Sequence, residues 1–103
     1  MINFLMGLFG YGKPSIRELL KDGAIIVDVR TSGEYRSGYV KGSRNIPLQS
    51  LSSKIKKLKK KNKVIITCCA SGMRSGKAAR VLRQSGLEAY NGGSWQAVER
   101  IRK

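Results

Sequence analysis

The residues best placed to do chemistry are nine in a row, Thr67-Cys68-Cys69-Ala70-Ser71-Gly72-Met73-Arg74-Ser75. They lie between a β-branched apolar run, Val64-Ile65-Ile66-Thr67, and a stretch with helical periodicity. A thiol at such a junction faces the positive end of the coming helix, unpaired loop amides and the guanidinium of Arg74. All three favour thiolate over thiol and so make a nucleophile. The same amides would cradle an oxyanion arriving at the sulfur. In the strand's two-residue period Cys68 groups with Val64 and Ile66, whereas Cys69 falls on the other face. Cys68 therefore reads as core, because free cysteine is often buried and inert, and Cys69 reads as the reactive thiol. Two spacings coexist: four residues separate Cys69 from Arg74, and five separate Cys68 from Arg74-Ser75, the Cys-x5-Arg-[Ser/Thr] spacing of cysteine-dependent phosphatases.

Composition limits what this thiol can belong to. The 103 residues include 21 Lys plus Arg, 6 Asp plus Glu, no His and two Cys, for a formal net charge of +15. Without histidine there is no Ser-His-Asp triad, no Cys-His dyad and no mixed Cys/His zinc site. Two adjacent cysteines alone cannot complete a structural zinc tetrahedron. The length suits one domain and one core. At 41% apolar and 26% charged the chain reads as globular, not disordered. Its positive surplus attracts nucleic acid, anionic lipid or small oxyanions. Seven lysines between Lys54 and Lys63 hold much of that surplus. They read first as a solvated helix face, with nucleic acid as a minor alternative.

Residues 1–12 form an apolar segment ahead of the domain expected over residues 13–103. The segment lacks a cationic start and an A-x-A-like cleavage site and is too short to span a bilayer. It is expected to pack on the domain or to touch a membrane surface weakly, with the cytoplasm as the compartment. Cys68 and Cys69, being neighbours, cannot staple distant parts of the chain, so free thiols are expected.

The elements that must position the loop follow from periodicity and caps. Ser15 to Glu18 has capping-box spacing and opens a helix ending near Gly23. Residues 24–29 (AIIVDV) read as a strand buried on both faces. Thr31 to Glu34 repeats the capping spacing and starts a short helix closing at Gly38. Asn45-Ile46-Pro47 reads as a brief extended segment. Leu51, Ile55 and Leu58 recur at helical spacing among the lysines. Residues 64–68 make the second buried strand, residues 75–84 a helix with Ala78, Ala79, Val81 and Leu82 inward, and residues 87–90 the last strand. Trp95, Val98 and Ile101 close the chain as an anchor helix. Alternating strands and helices predict an α/β domain with a mostly parallel central sheet flanked by helices. Ligands of such sheets bind at the carboxyl ends of the strands, where this loop lies.

The segment from Asp28-Val29-Arg30 through Glu34-Tyr35, Gly38, Gly42 and Asn45-Ile46-Pro47 is similar to a signature of the single-domain rhodaneses, a sulfurtransferase family. Cys69-Ala70-Ser71-Gly72-Met73-Arg74-Ser75 resembles that family's active loop, and Gly92-Gly93 with Trp95 its C-terminal signature. The resemblance covers residues 15–100 and implies a rhodanese-like three-layer sandwich. It also settles the register: the family's glycine stands three after the nucleophile, as Gly72 does after Cys69, whereas the same count from Cys68 reaches Ser71. Three departures matter. Tyr39 stands where the family usually has His, and Ala70 and Met73 stand where many thiosulfate-using members carry a cation or polar group. Asp28 and Arg30 read as a structural charge pair at a strand end.

The resemblance implies double displacement through a Cys69 persulfide, with Ala70, Ser71, Gly72, Met73, Arg74 and Ser75 binding the substrate and no cofactor or metal needed. The implied donor is a small anionic sulfur compound, thiosulfate or a persulfide. The acceptor is cyanide in the test tube, or a low-molecular-weight thiol or thioredoxin-like protein in the cell. The competing readings are a small phosphatase or arsenate reductase using Cys68, and a non-catalytic binding module on the same fold.

Overall fold

The computed structural model describes residues 14–103, so the expectations for residues 1–12 lie outside the described part. Four strands form one sheet in the order β2-β1-β3-β4, every neighbouring pair parallel. The strands are β1 (Ile25–Asp28), β2 (Arg44–Asn45), β3 (Ile65–Cys69) and β4 (Ala89–Ser94). The helices are α1 (Ile16–Lys21) ahead of β1, α2 (Ser32–Arg36), α3 (Leu51–Lys61) and α4 (Met73–Gln84) between strands, and α5 (Trp95–Arg102) after β4. A 3-10 turn, Leu48–Ser50, leads into α3. The α/β sandwich expected from the alternating pattern is present.

The period of two along the strands divides the core into two layers. Val27, Val29, Ile65 and Cys69 pack with Leu51 and Leu58 of α3 and Ala78, Ala79 and Leu82 of α4. Ile26 and Cys68 pack on the opposite face with Val40, Val98 of α5, Trp95 and Leu20 of α1. Both expected capping boxes form: Ser15 with Glu18, and Thr31 with Glu34. On α3 two leucines are buried, and its last turn carries Lys59, Lys60 and Lys61, where the helix dipole favours cations.

Two boundaries differ from the sequence expectation. Helix α4 begins at Met73, two residues before Ser75, because Gly72 in the left-handed region caps it in place of a hydroxyl side chain. The last strand is Ala89–Ser94 instead of residues 87–90. Asn and Gly are poor strand formers, yet Asn91 and Ser94 pair with Thr67 and Cys69 across an irregularity in register.

The buried Arg30 guanidinium joins several of these parts. It donates to both carboxylate oxygens of Asp28, the shortest bond being 2.7 Å, and to the carbonyls of Glu34 and Gly38. It also lies over the Trp95 ring at 5.0 Å. One side chain thus ties the end of β1 to α2, to the loop after it and to the start of α5, the structural role expected of the pair.

Candidate active site

Strand β3 carries Cys68 and Cys69 to the carboxyl end of the sheet and its alternation sends them to opposite faces. After Cys69 the chain turns back through residues 70–72 into α4. Gly72 makes this turn at φ +100, and a Cβ there would sit 3.3 Å from the Gly93 Cα. An L side chain in that left-handed region is strained, and the backbone of β4 leaves it no room to relax. The turn aims amides at the sulfur. Gly72 N–H donates to Cys69 Sγ at 3.0 Å and Ser75 N–H at 3.3 Å, with the Ser75 hydroxyl at 3.4 Å.

Burial raises the Cys69 pKa, but the Ser75 hydroxyl and the amides of Ser75, Gly72 and Ser71 together outweigh it, leaving the thiol below its ordinary value. Cys68 has no such donors. Burial, and then the nearby Asp28 carboxylate, push its thiol up to about 12. Two adjacent residues of one element are thus of different chemical kinds: one sulfur is poised toward thiolate and the other is a small apolar filler. Both side chains are buried.

The other expected site residues are arranged unevenly around this sulfur. Ala70 and Ser71 are exposed on the loop, and the Met73 N–H lies 3.4 Å from the Ser71 hydroxyl. Met73 leaves 82% of its surface exposed, an uncharged and apolar rim. The Arg74 guanidinium reaches away to α2, where its two nitrogens meet the two oxygens of Glu34 at 2.8 and 3.0 Å. That pairing, with the Thr31 amide, holds the Glu34 carboxyl at about 2. The loop's arginine is therefore already committed to a carboxylate in the resting site.

The family model described as the rhodanese-like domain matches residues 14–99. The chain belongs to the rhodanese-like family. Among curated relatives, the uncharacterized Bacillus subtilis protein YqhL is 38% identical over 69 residues, covering 66% of this chain and 54% of that protein. The tRNA sulfurtransferase of Thermoplasma acidophilum is 26% identical over 76 residues, covering 74% of this chain and only 15% of that protein. The chain thus spans about half of one curated relative and a small part of the other. Among solved structures, an Escherichia coli rhodanese with anions superimposes with a TM-score of 0.67 at 28% identity, covering 73% of this chain and 91% of that one. A rhodanese-related protein of Thermoplasma volcanium gives 0.67 at 33%, covering 81% and 83%.

In this rhodanese-like domain the cradle rests on residues that sequence reasoning missed. Asn91 of β4 donates from Nδ2 to the Gly72 carbonyl at 2.9 Å, while its Oδ1 accepts from Gly93 N–H at 2.9 Å and the Ser75 hydroxyl at 2.7 Å. Thr67 Oγ1 donates to the Ser75 carbonyl at 2.8 Å from within β3. The loop is thereby fastened to two strands. The one sequence signal for Asn91 was a polar residue directly before Gly92-Gly93, and nothing local linked it to a cysteine 22 positions earlier.

Proposed function

We propose that this protein is a sulfurtransferase or sulfur carrier that moves a sulfane sulfur through a persulfide on Cys69. The observation that carries this reading is the Cys69 sulfur receiving amide hydrogen bonds from Gly72 and Ser75, with its pKa lowered, in the loop that resembles the family's active loop. The thiolate attacks the outer sulfur of a donor. With thiosulfate the S–S bond breaks, the bonding pair leaves with sulfite, and Cys69 keeps the sulfur as an anionic persulfide. A nucleophilic acceptor, a thiolate or cyanide, then takes the outer sulfur and returns the Cys69 thiolate. Neither step needs a histidine, because the loop's hydrogen bonds favour the thiolate and the leaving groups are stable anions.

The donor we infer is a persulfide on a small thiol or a protein more than free thiosulfate. A dianion needs a free cation at the rim, but Ala70 and Met73 are neutral and Arg74 is held by Glu34. The acceptor belongs to the thiol class, a low-molecular-weight thiol or a thioredoxin-like protein. Phosphatase chemistry through Cys68 finds no support, since that thiol lies on the other face of the sheet and is pushed up to about 12.

Intact mass after incubation with a low-molecular-weight persulfide, and in parallel with thiosulfate, tests this on wild type, Cys68→Ser and Cys69→Ser. One added sulfur atom is expected in wild type and Cys68→Ser and none in Cys69→Ser, with more conversion from the persulfide. Sulfur retained in Cys69→Ser, or none gained in any variant from either donor, sinks the proposal.

A further inference from the structure

The positive surplus of this domain is concentrated in one layer. No Asp or Glu occurs between Glu34 and Glu88, and both α3 and α4 fall in that interval. Together the two helices carry ten Lys and Arg and no carboxylate. They cover one face of the sheet, while α1 and α5 on the other face mix both signs. Neither the thiol cradle nor the buried Asp28–Arg30 pair uses the α3 lysines.

The lysines of α3 point in two directions. Lys54, Lys57, Lys60 and Lys61 line a shallow groove with Arg44 of the edge strand β2. The ammonium groups of Lys59 and Lys63 reach over Gly86 and Gly23, which lie just ahead of β4 and β1. That is the amino end of the sheet, opposite the Cys69 loop. A broad anionic surface could engage this edge and end of the molecule while the loop stays open.

We propose that this lysine face docks the domain on an anionic lipid bilayer. The chemistry of the face favours lipid over nucleic acid. Apart from Arg44 its cations are lysines, and no aromatic residue lines the groove, whereas RNA recognition relies on aromatic stacking. Lysine acts as a compact point charge suited to a diffuse layer of headgroups. Stable attachment to a bilayer takes two signals, an apolar insertion and a polybasic patch. The chain ahead of Pro14 supplies a sequence for the first: residues 1–12 contain no charge and include Phe4, Leu5, Met6, Leu8 and Phe9.

The test is sedimentation of the full chain with phosphatidylcholine vesicles, pure or doped with phosphatidylglycerol, across a salt series. Binding is expected on the doped vesicles alone and to weaken steeply with salt. Replacing Lys54, Lys57, Lys60 and Lys61 together by Gln should weaken it by about fivefold per lysine, with the helical circular dichroism unchanged. Equal binding to both vesicle types, no binding to either, or a salt-independent affinity overturns the proposal. The salt series reads the wild type alone, so it decides the matter even if the fourfold variant folds poorly. A single-stranded polynucleotide added at equal phosphate should leave the protein on the vesicles. If it strips the protein off, the face is a nucleic-acid surface instead.

Discussion

The Ser75 hydroxyl has one proton and more than one acceptor, at 2.7 Å on Asn91 Oδ1 and 3.4 Å on the Cys69 sulfur. A neutral thiol leaves that proton on Asn91, and a thiolate draws it toward the sulfur, so the hydroxyl favours the charged form selectively. Ser75→Ala should therefore raise the Cys69 pKa toward that of an ordinary thiol. The pH dependence of thiol alkylation reads this: the first step, at Cys69, should lie higher in the variant than in wild type. An unmoved first step would mean the amides alone set the pKa. Glu34 gives a second pH signature. Its folded value of about 2 lies below the ordinary 4.5, so its stabilisation is complete above about 4.5 and is lost as pH falls toward 2. Glu34→Gln should lower the urea midpoint at neutral pH, and the two curves should converge near pH 2; a gap that persists there would remove Glu34 from the acid response. Cys69 itself was legible because its loop is contiguous in sequence. The Glu34 partner of Arg74 was not, since an ion pair across 40 positions leaves no local trace.

At the scale of elements, what could be read was whatever local chemistry dictates. The two capping boxes, the inward faces of α3 and α4 and the β-branched runs of β1 and β3 all follow from spacing alone. Strand β4 resisted because its second half is Asn91-Gly92-Gly93-Ser94, held extended by pairing with β3 and not by its own propensity. Gly92 shows why that sequence is needed. A Cβ there would lie 2.8 Å from the Ile66 and Val98 methyls and 3.0 Å from the Thr67 carbonyl. Gly92→Ala must push apart both β3 and α5, at a cost of about 1–3 kcal/mol as overpacking. Because β4 also carries Asn91, the thiol cradle should loosen with it. Gly33→Ala is the control, as its Cβ meets nothing within 4 Å in α2. It should stabilise by roughly 0.4–1 kcal/mol through lost freedom in the unfolded chain. Denaturant midpoints of the two variants should move in opposite directions; a neutral Gly92→Ala would show that β4 is less tightly packed than described.

For the molecule as a whole, a charge of +15 with every acidic residue outside α3 and α4 sets repulsion against packing. The apolar side holds α3 down through Leu51 and Leu58, both nearly fully buried, each contributing about 1.5–3 kcal/mol. Against them, six lysines in eleven residues repel one another without a carboxylate on the helix to offset them. Salt acts on these terms differently. It screens the exposed Glu34–Arg74 and Glu99–Arg102 pairs, and exposed pairs are worth only about 0.2–1 kcal/mol each. It also screens the many like-charge contacts, since the Debye length falls from about 30 Å at 0.01 M to about 10 Å at 0.1 M. The repulsive contacts outnumber the attractive pairs, so raising salt across that range should raise the melting temperature. A gain of about 1 kcal/mol corresponds to about 4–8 °C in a domain of this size. Replacing Lys54, Lys57, Lys60 and Lys61 by Gln should raise the low-salt melting temperature and flatten its dependence on salt. A melting temperature that falls with salt would mean that the attractive pairs dominate and that the lysine layer costs the fold nothing.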